Sequence, residues 1–140
     1  MNTYYFAHPF DSRHRLREWE LRVEKELGIE LINPFYDVEG RTDVELVDAG
    51  RAERYERIDA EELVKRDLCV LTECNGVIAV VDGSLSFGTI MELVYARIYG
   101  KCSYLIVTNG HHGHPWLVYH ADFVFRSFEE FEEFWKSGRK

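Results

Sequence analysis

The chain has 140 residues, 46% of them apolar, and a formal net charge of −8 with a pI near 5.2. That length predicts one domain, residues 1–140, large enough for a real core, and the acidic balance speaks against a nucleic-acid surface, which needs a basic patch. No stretch approaches the ~20 apolar residues that span a membrane, the N-terminus lacks a signal-peptide pattern, and Cys69, Cys74 and Cys102, without a C-x-x-C pair, predict reduced thiols in a cytoplasmic protein.

Thr3 to Ala7 reads as a first strand, broken by His8-Pro9-Phe10-Asp11. From about Ser12 apolar residues recur at Leu16, Trp19, Val23 and Leu27, which is helical spacing, and Gly28 stands where a C-terminal cap is expected. Ile29 to Ile32 is a second strand, closed by Asn33-Pro34. The polar segment 35–56 predicts a long loop with some helix, of the kind that serves as a lid or binding loop. Asp59-Ala60-Glu61-Glu62 opens a helix through Leu71. Gly76 to Val81 is a continuous apolar run, suited to a parallel strand buried on both faces.

Asp82 to Gly88 is a loop, Thr89 to Tyr99 a helix ending at Gly100, and Ser103 to Thr108 a further strand. Residues 109–116 read as a loop in which Trp116 covers a ligand or a subunit contact. Phe123 to Phe125 is a last short strand, and Ser127-Phe128-Glu129-Glu130 a capping box that opens the final helix. Strands alternating with helices predict an α/β protein around a parallel sheet of five strands, with helices on both faces. Ligands of such sheets bind beyond the carboxyl ends of the strands. This puts His8 to Arg13 and Asp82 to Thr89 on one rim.

At that rim Gly88-Thr89 opens a helix, whose free N–H groups attract anions. Glu92 follows near the first turn, where the helix dipole favours a charged carboxylate by about 0.3–1 kcal/mol. A positioned carboxylate is what attack on a sugar C1′ needs; by position alone Glu92 also reads as an ordinary solvent-facing glutamate. Asp67, late in the preceding helix, supplies a second carboxylate, the recurring partner in glycosidic cleavage, or else a surface residue paired with Lys65 or Arg66. Tyr5 faces either the core or the site and needs a hydroxyl partner if buried. His111-His112-Gly113-His114 lacks the ligand spacing of a zinc site, so no metal is expected.

Taken together these segments resemble the nucleoside 2-deoxyribosyltransferase family over residues 3 to 108. The opening Tyr4-Tyr5-Phe6-Ala7-His8-Pro9-Phe10 is similar to the family's aromatic-x-Ala-Gly-Pro start. Asp67, then an apolar strand, then Gly88-Thr89-x-x-Glu92, is similar to its Asp…Gly-Thr-x-x-Glu core. The resemblance implies a flavodoxin-like (Rossmann-like) sheet, a homodimer or larger homo-oligomer, and no cofactor. It implies Glu92 as the nucleophile that takes the glycosyl group, Asp67 assisting at the base, and Tyr5 positioning Glu92. His8, Pro9, Phe10, Ser12, Arg13, Asp82, Ser86, Gly88, Thr89 and Asn109 are the candidate substrate contacts.

Two positions depart from the family pattern. His8 stands where the family often has Gly. Ser86 stands six residues before Glu92, where the transferases usually carry an Asp for the sugar 5′-hydroxyl. A carboxylate there would repel a 5′-phosphate, whereas a hydroxyl can donate to one. The segment is therefore more similar to the related 2′-deoxynucleoside 5′-monophosphate N-hydrolases, with Ser12 and Arg13 as further phosphate contacts. The expected activity is cleavage of the N-glycosidic bond of a nucleoside or its 5′-monophosphate, resolved by water or by a second base. A phosphoribohydrolase of the cytokinin-activating type ranks below it, because the Pro-Gly preceding that family's motif is absent. A non-catalytic nucleotide sensor has no need of Tyr5, Asp67 and Glu92 together.

Overall fold

A computed structural model describes residues 2–38, 59–83 and 86–138. The expected long loop over 35–56 therefore lies largely outside the described residues, apart from a turn after Asn33.

Five strands, β1 (Thr3–Ala7), β2 (Glu30–Ile32), β3 (Gly76–Val81), β4 (Cys102–Val107) and β5 (Phe123–Phe125), form one parallel sheet in the order β2-β1-β3-β4-β5. Five helices connect or follow them: α1 (Arg13–Leu27), α2 (Ala60–Glu73), α3 (Phe87–Ile98), α4 (Pro115–His120) and α5 (Phe128–Lys136). A single 3-10 turn, Phe10–Ser12, leads into α1. This is the flavodoxin-like order, in which the chain first grows outward from β1 to β2 and then returns to place β3 on the other side of β1. The switch point between β1 and β3 opens a crevice at their carboxyl ends.

Strand side chains alternate between two apolar layers. Tyr4, Phe6, Ile78, Val80, Tyr104 and Ile106 point to one side, where they meet Leu16 and Val23 of α1 and Phe131 and Trp135 of α5. Tyr5, Ala7, Val77, Ala79, Leu105 and Val107 point to the other, against Leu71 of α2, Leu93 and Ala96 of α3 and Leu117 of α4. Each fully buried aliphatic or aromatic side chain contributes about 1.5–3 kcal/mol. Tyr5 thus faces the α2 and α3 layer, the side on which Asp67 and Glu92 are carried.

The punctuation read from the sequence works as expected at most ends. Gly28 caps α1 in the left-handed conformation with φ 66°. Asp59 caps α2 by accepting from the Glu62 N–H at 3.1 Å, and Ser127 caps α5 by accepting from the Glu130 N–H at 3.1 Å. Two boundaries differ. Helix α3 begins at Phe87 rather than Thr89, because Ser86 is its N-cap and accepts from the Thr89 N–H at 3.2 Å. Helix α4 falls where only a loop was read; His114 caps it through Nδ1 and Pro115 takes its first position.

No helix among the described residues is long and apolar enough to cross a membrane. Cys69, Cys74 and Cys102 are all unbridged, and burial pushes the Cys74 thiol up to about 11, an inert position.

Candidate active site

Tyr5 lies in the middle of β1, with no exposed surface. Its hydroxyl donates to Oε2 of Glu92 on α3. A phenol at that depth is costly to ionise, so burial pushes Tyr5 well above its ordinary value. The negative charges of Glu92 and Asp67 push it further, and only Arg66 opposes them. Tyr5 therefore stays protonated and acts as a fixed donor. That both carboxylates act on one phenol puts Tyr5, Asp67 and Glu92 within electrostatic reach of one another, although 62 residues separate the first two in sequence.

Asp67 is also held from its own helix. Arg66 donates to Asp67 Oδ1 from Nε at 3.0 Å and from a terminal nitrogen at 2.8 Å, and both side chains are mostly covered. The surface-pair reading of Asp67 was thus half right: the partner is Arg66, but the pair sits beside Tyr5. Because α3 starts at Phe87, Glu92 falls in its second turn. The helix dipole acts mainly within the first turn, so the Tyr5 hydroxyl, not the dipole, is the main fixed partner of this carboxylate.

On the other side of the switch point, Asp82 leaves the end of β3 and folds back toward α1. Its Oδ2 accepts from Ser12 Oγ at 2.8 Å and from the Arg15 guanidinium. Its Oδ1 is buried without a hydrogen-bond partner among the described residues. Arg13 behaves differently from Arg15. It packs its guanidinium 3.6 Å from the centre of the Phe10 ring and donates to the Phe10 carbonyl at 3.1 Å. Arg15, absent from the sequence reading, is the cation that reaches the rim carboxylate.

Ser86 is engaged twice with Thr89. Its Oγ accepts from the Thr89 N–H and lies 2.7 Å from Thr89 Oγ1. When Thr89 donates in both contacts, the Ser86 hydroxyl proton is left to point outward. Ser86, with Pro9, Val80, Val81, Gly83, Ile90, Asn109 and His111, lines a cavity of about 210 Å³ between the ends of β3 and β4. Asn109 holds the loop there, its Oδ1 accepting from the His111 N–H at 3.0 Å. Gly88 is exposed, with open space where a Cβ would stand. The histidine tract divides its duties, since His111 lines this cavity and His114 caps α4. No group of three His, Cys, Asp or Glu among the described residues could hold a metal ion.

His8 takes a different place from the expected substrate contacts. It is 3% exposed, and both ring nitrogens are engaged inside the protein, Nδ1 with the Pro9 carbonyl at 2.9 Å and Nε2 with Asn33 Nδ2 at 2.8 Å. Burial lowers its pKa, so the ring is neutral at pH 7. Phe10 remains half-buried at the rim, edge-on to Phe35 with ring centres 5.2 Å apart. Arg15 escaped sequence reasoning because its partner lies on another element, and Arg66 was read only as a surface partner of Asp67, since no spacing reveals that the pair sits beside Tyr5. Their one signal was a cation close in sequence to a singled-out Ser or Asp.

Several solved structures share this arrangement of elements. A 2-deoxyribosyltransferase from Bacillus psychrosaccharolyticus superposes with a TM-score of 0.66 at 20% identity, covering 93% of this chain and 90% of that one. The fold is that of the 2-deoxyribosyltransferases. The Leishmania mexicana 2-deoxyribosyltransferase superposes with a TM-score of 0.64 at 18% identity over 97% of this chain and 98% of its own. A Clostridium botulinum CMP N-glycosidase does so with a TM-score of 0.61 at 15% identity, over 98% and 99%. No protein-family model and no curated protein matches the sequence.

Proposed function

We propose that this protein cleaves the N-glycosidic bond of (deoxy)ribonucleosides or their 5′-monophosphates through a covalent glycosyl-enzyme on Glu92. The observation that carries this reading is the buried Tyr5 hydroxyl donating to Glu92 Oε2 with Asp67 alongside. A fixed donor on one oxygen orients the carboxylate for attack without needing to move during the reaction. Glu92 attacks C1′, and the C1′–N bond breaks with its electron pair going to the base. The base takes up a proton from solvent at the Asp67 end of the site, where Arg66 holds that carboxylate in place. Water then attacks C1′ and frees Glu92, with its proton passing to solvent.

A 5′-phosphate as the substrate's second anchor is supported by the hydroxyls of Ser12 and Ser86 and by the Arg15 guanidinium, all at the carboxyl ends of β1 and β3. Arg15 joins Arg13 as a candidate cation there, the Arg13 guanidinium packing on the Phe10 ring at the same rim. The open space at Gly88 lets a ligand approach the start of α3 closely. A second reading is base exchange on unphosphorylated nucleosides. Asp82 favours it, since a carboxylate at the end of β3 would repel a phosphate.

One experiment separates the two. The protein is incubated with dAMP, dGMP, dCMP and dTMP, and separately with nucleosides plus a free base, and products are read by chromatography. Base release from monophosphates supports hydrolysis; exchange on nucleosides with monophosphates intact supports transfer. Tight nucleotide binding in a calorimeter with no base released over hours would overturn both in favour of a sensor.

The same reading includes a homodimer or larger homo-oligomer. Phe87 and Met91 on α3 and Trp116 and Tyr119 on α4 are each more than half exposed. Arg97 of α3 lies 4.9 Å from the Tyr119 ring, so the two helices that carry these exposed side chains are neighbours.

A further inference from the structure

Three buried polar side chains that the proposed chemistry does not use form a chain beneath the first rim loop. Glu20 of α1 and Asn33 after β2 have no exposed surface, and His8 after β1 has almost none. Glu20 Oε1 accepts from Asn33 Nδ2 at 2.8 Å and from Arg17 at 3.0 Å. Asn33 Oδ1 accepts from the Phe35 N–H at 3.0 Å, which fixes the amide so that its nitrogen is the atom facing both Glu20 and His8. Both protons of that nitrogen are then spent, one on Glu20 and one on His8 Nε2. His8 Nε2 must accept, so the ring proton sits on Nδ1 and is donated to the Pro9 carbonyl. The same carbonyl accepts the Ser12 N–H at 3.2 Å and closes the 3-10 turn. That turn delivers Ser12 Oγ to Asp82.

We propose that Glu20 and Asn33 are positioning residues that act through a neutral, Nδ1-protonated His8 to set the Pro9–Ser12 turn, and with it the contact of Ser12 to Asp82 at the rim. Buried polar groups are costly unless paired, and a purely structural purpose would be met more cheaply by apolar side chains of the same size. Here each member has one direction of donation, and the chain ends on a backbone carbonyl at the mouth of the site. Arg17 and Asp37 face it at the Glu20 end, and Arg13 and Asp82 at the His8 end. Burial holds His8 low, which keeps the chain from acquiring a second positive charge beside Arg17.

The proposal concerns the geometry of the turn, and only its kinetic consequence rests on the function proposed above. Long-range nitrogen–proton NMR on the wild-type protein tests the first. His8 should show the Nδ1–H tautomer and stay neutral down to below the ordinary histidine range. An Nε2–H tautomer, or ordinary titration, overturns the proposal without any variant. In Asn33→Leu the Nδ1–H preference should be lost, and the Ser12 amide should exchange faster. An unmoved Ser12 amide overturns the link to the turn.

The kinetic arm uses the nucleotide that releases base in the panel above. Glu20→Leu and Asn33→Leu should raise KM about tenfold with kcat changed by less than about twofold, because the turn holds the sugar's far end and not the reacting carbon. Glu20→Gln, which keeps an acceptor for Asn33, should recover most of the loss. Equal falls in kcat, or Gln behaving as Leu does, overturn the positioning role. Absence of turnover in the wild-type protein would count against the proposed function, while the NMR arm would still decide this one.

Discussion

A carboxylate on a helix is commonplace until something fixes its direction, and at Glu92 that something is Tyr5. Removing the carboxyl in Glu92→Ala should abolish base release, by at least about 10³-fold, while leaving the melting temperature within a few degrees; retained turnover would sink the assignment. Tyr5→Phe keeps the ring and removes the donor, and should lower kcat about 10- to 100-fold. Because Tyr5 is held protonated far above neutrality, this variant should not alter the shape of the pH–rate profile between pH 5 and 9; a lost limb would mean the phenol titrates in turnover. Glu20 gives a stability test with a definite sign. Its carboxyl is pushed up to about 7 by burial, despite the hydrogen bonds from Arg17 and Asn33 that pull the other way, against an ordinary value of 4.5. Between those values the folded state holds a proton that the unfolded state has lost. Stability is therefore full below about pH 4.5 and falls as pH rises toward 7, by something on the order of 3 kcal/mol. Urea titrations at pH 5 and pH 8 should show this fall in the wild type and a smaller one in Glu20→Gln. At this scale Tyr5, Asp67 and Glu92 were singled out because each lies in a short motif that resembles the 2-deoxyribosyltransferase pattern. Arg15, Asn33 and Glu20 were not, because their value comes from partners that only folding supplies.

The start of α3 joins a local rule to a functional question. Ser86 was singled out for phosphate, and the structure adds that it is the N-cap of that helix. Asp is as good a cap as Ser, so Ser86→Asp should leave stability within about 0.5 kcal/mol. It should raise KM for 5′-monophosphates at least about tenfold by charge repulsion, and spare unphosphorylated nucleosides. Ser86→Ala, in contrast, should cost about 1 kcal/mol through the lost cap, read by denaturant titration. A monophosphate KM unmoved by the aspartate would mean that the phosphate does not visit Ser86. Strand β3 sets another element-scale constraint. A Cβ on Gly76 would stand 2.6 Å from the Cys102 carbonyl and 3.2 Å from the Tyr4 ring. Gly76→Ala should therefore destabilise by about 1–3 kcal/mol, seen as a lower urea midpoint. Sequence periodicity found all five strands and four of the five helices, since long amphipathic or uniformly apolar runs carry strong signals. It missed α4, which is six residues long, too short for a period to show.

For the molecule as a whole, the order β2-β1-β3-β4-β5 is what makes a site from scattered residues. The return past β1 lets the loop after Ala7 meet the loop after Val81, and it sets Tyr5 in the layer shared with α2 and α3. The exposed aromatic face of α3 and α4 belongs to this scale too. If that face joins copies of the chain, Trp116→Glu should shift the protein to a smaller species in sedimentation velocity, with its fold intact by circular dichroism. An unchanged sedimentation coefficient would remove the face from any oligomer contact.

The sequence by itself determined the alternation of strands and helices, most of the caps, the acidic surface and the identity of the three groups proposed for the chemistry. The elements and caps follow from side-chain periodicity and from turn residues, which act over a few positions along the chain; the three groups follow from the resemblance to the 2-deoxyribosyltransferase motifs. The tertiary structure alone decided that Arg15 meets Asp82, that the Asp67–Arg66 pair sits beside Tyr5, and that His8 looks inward to Asn33. Those outcomes depend on which way a buried side chain points once strands far apart in sequence lie side by side. Hydrogen-bond satisfaction in the interior settles that direction, and no local pattern encodes it.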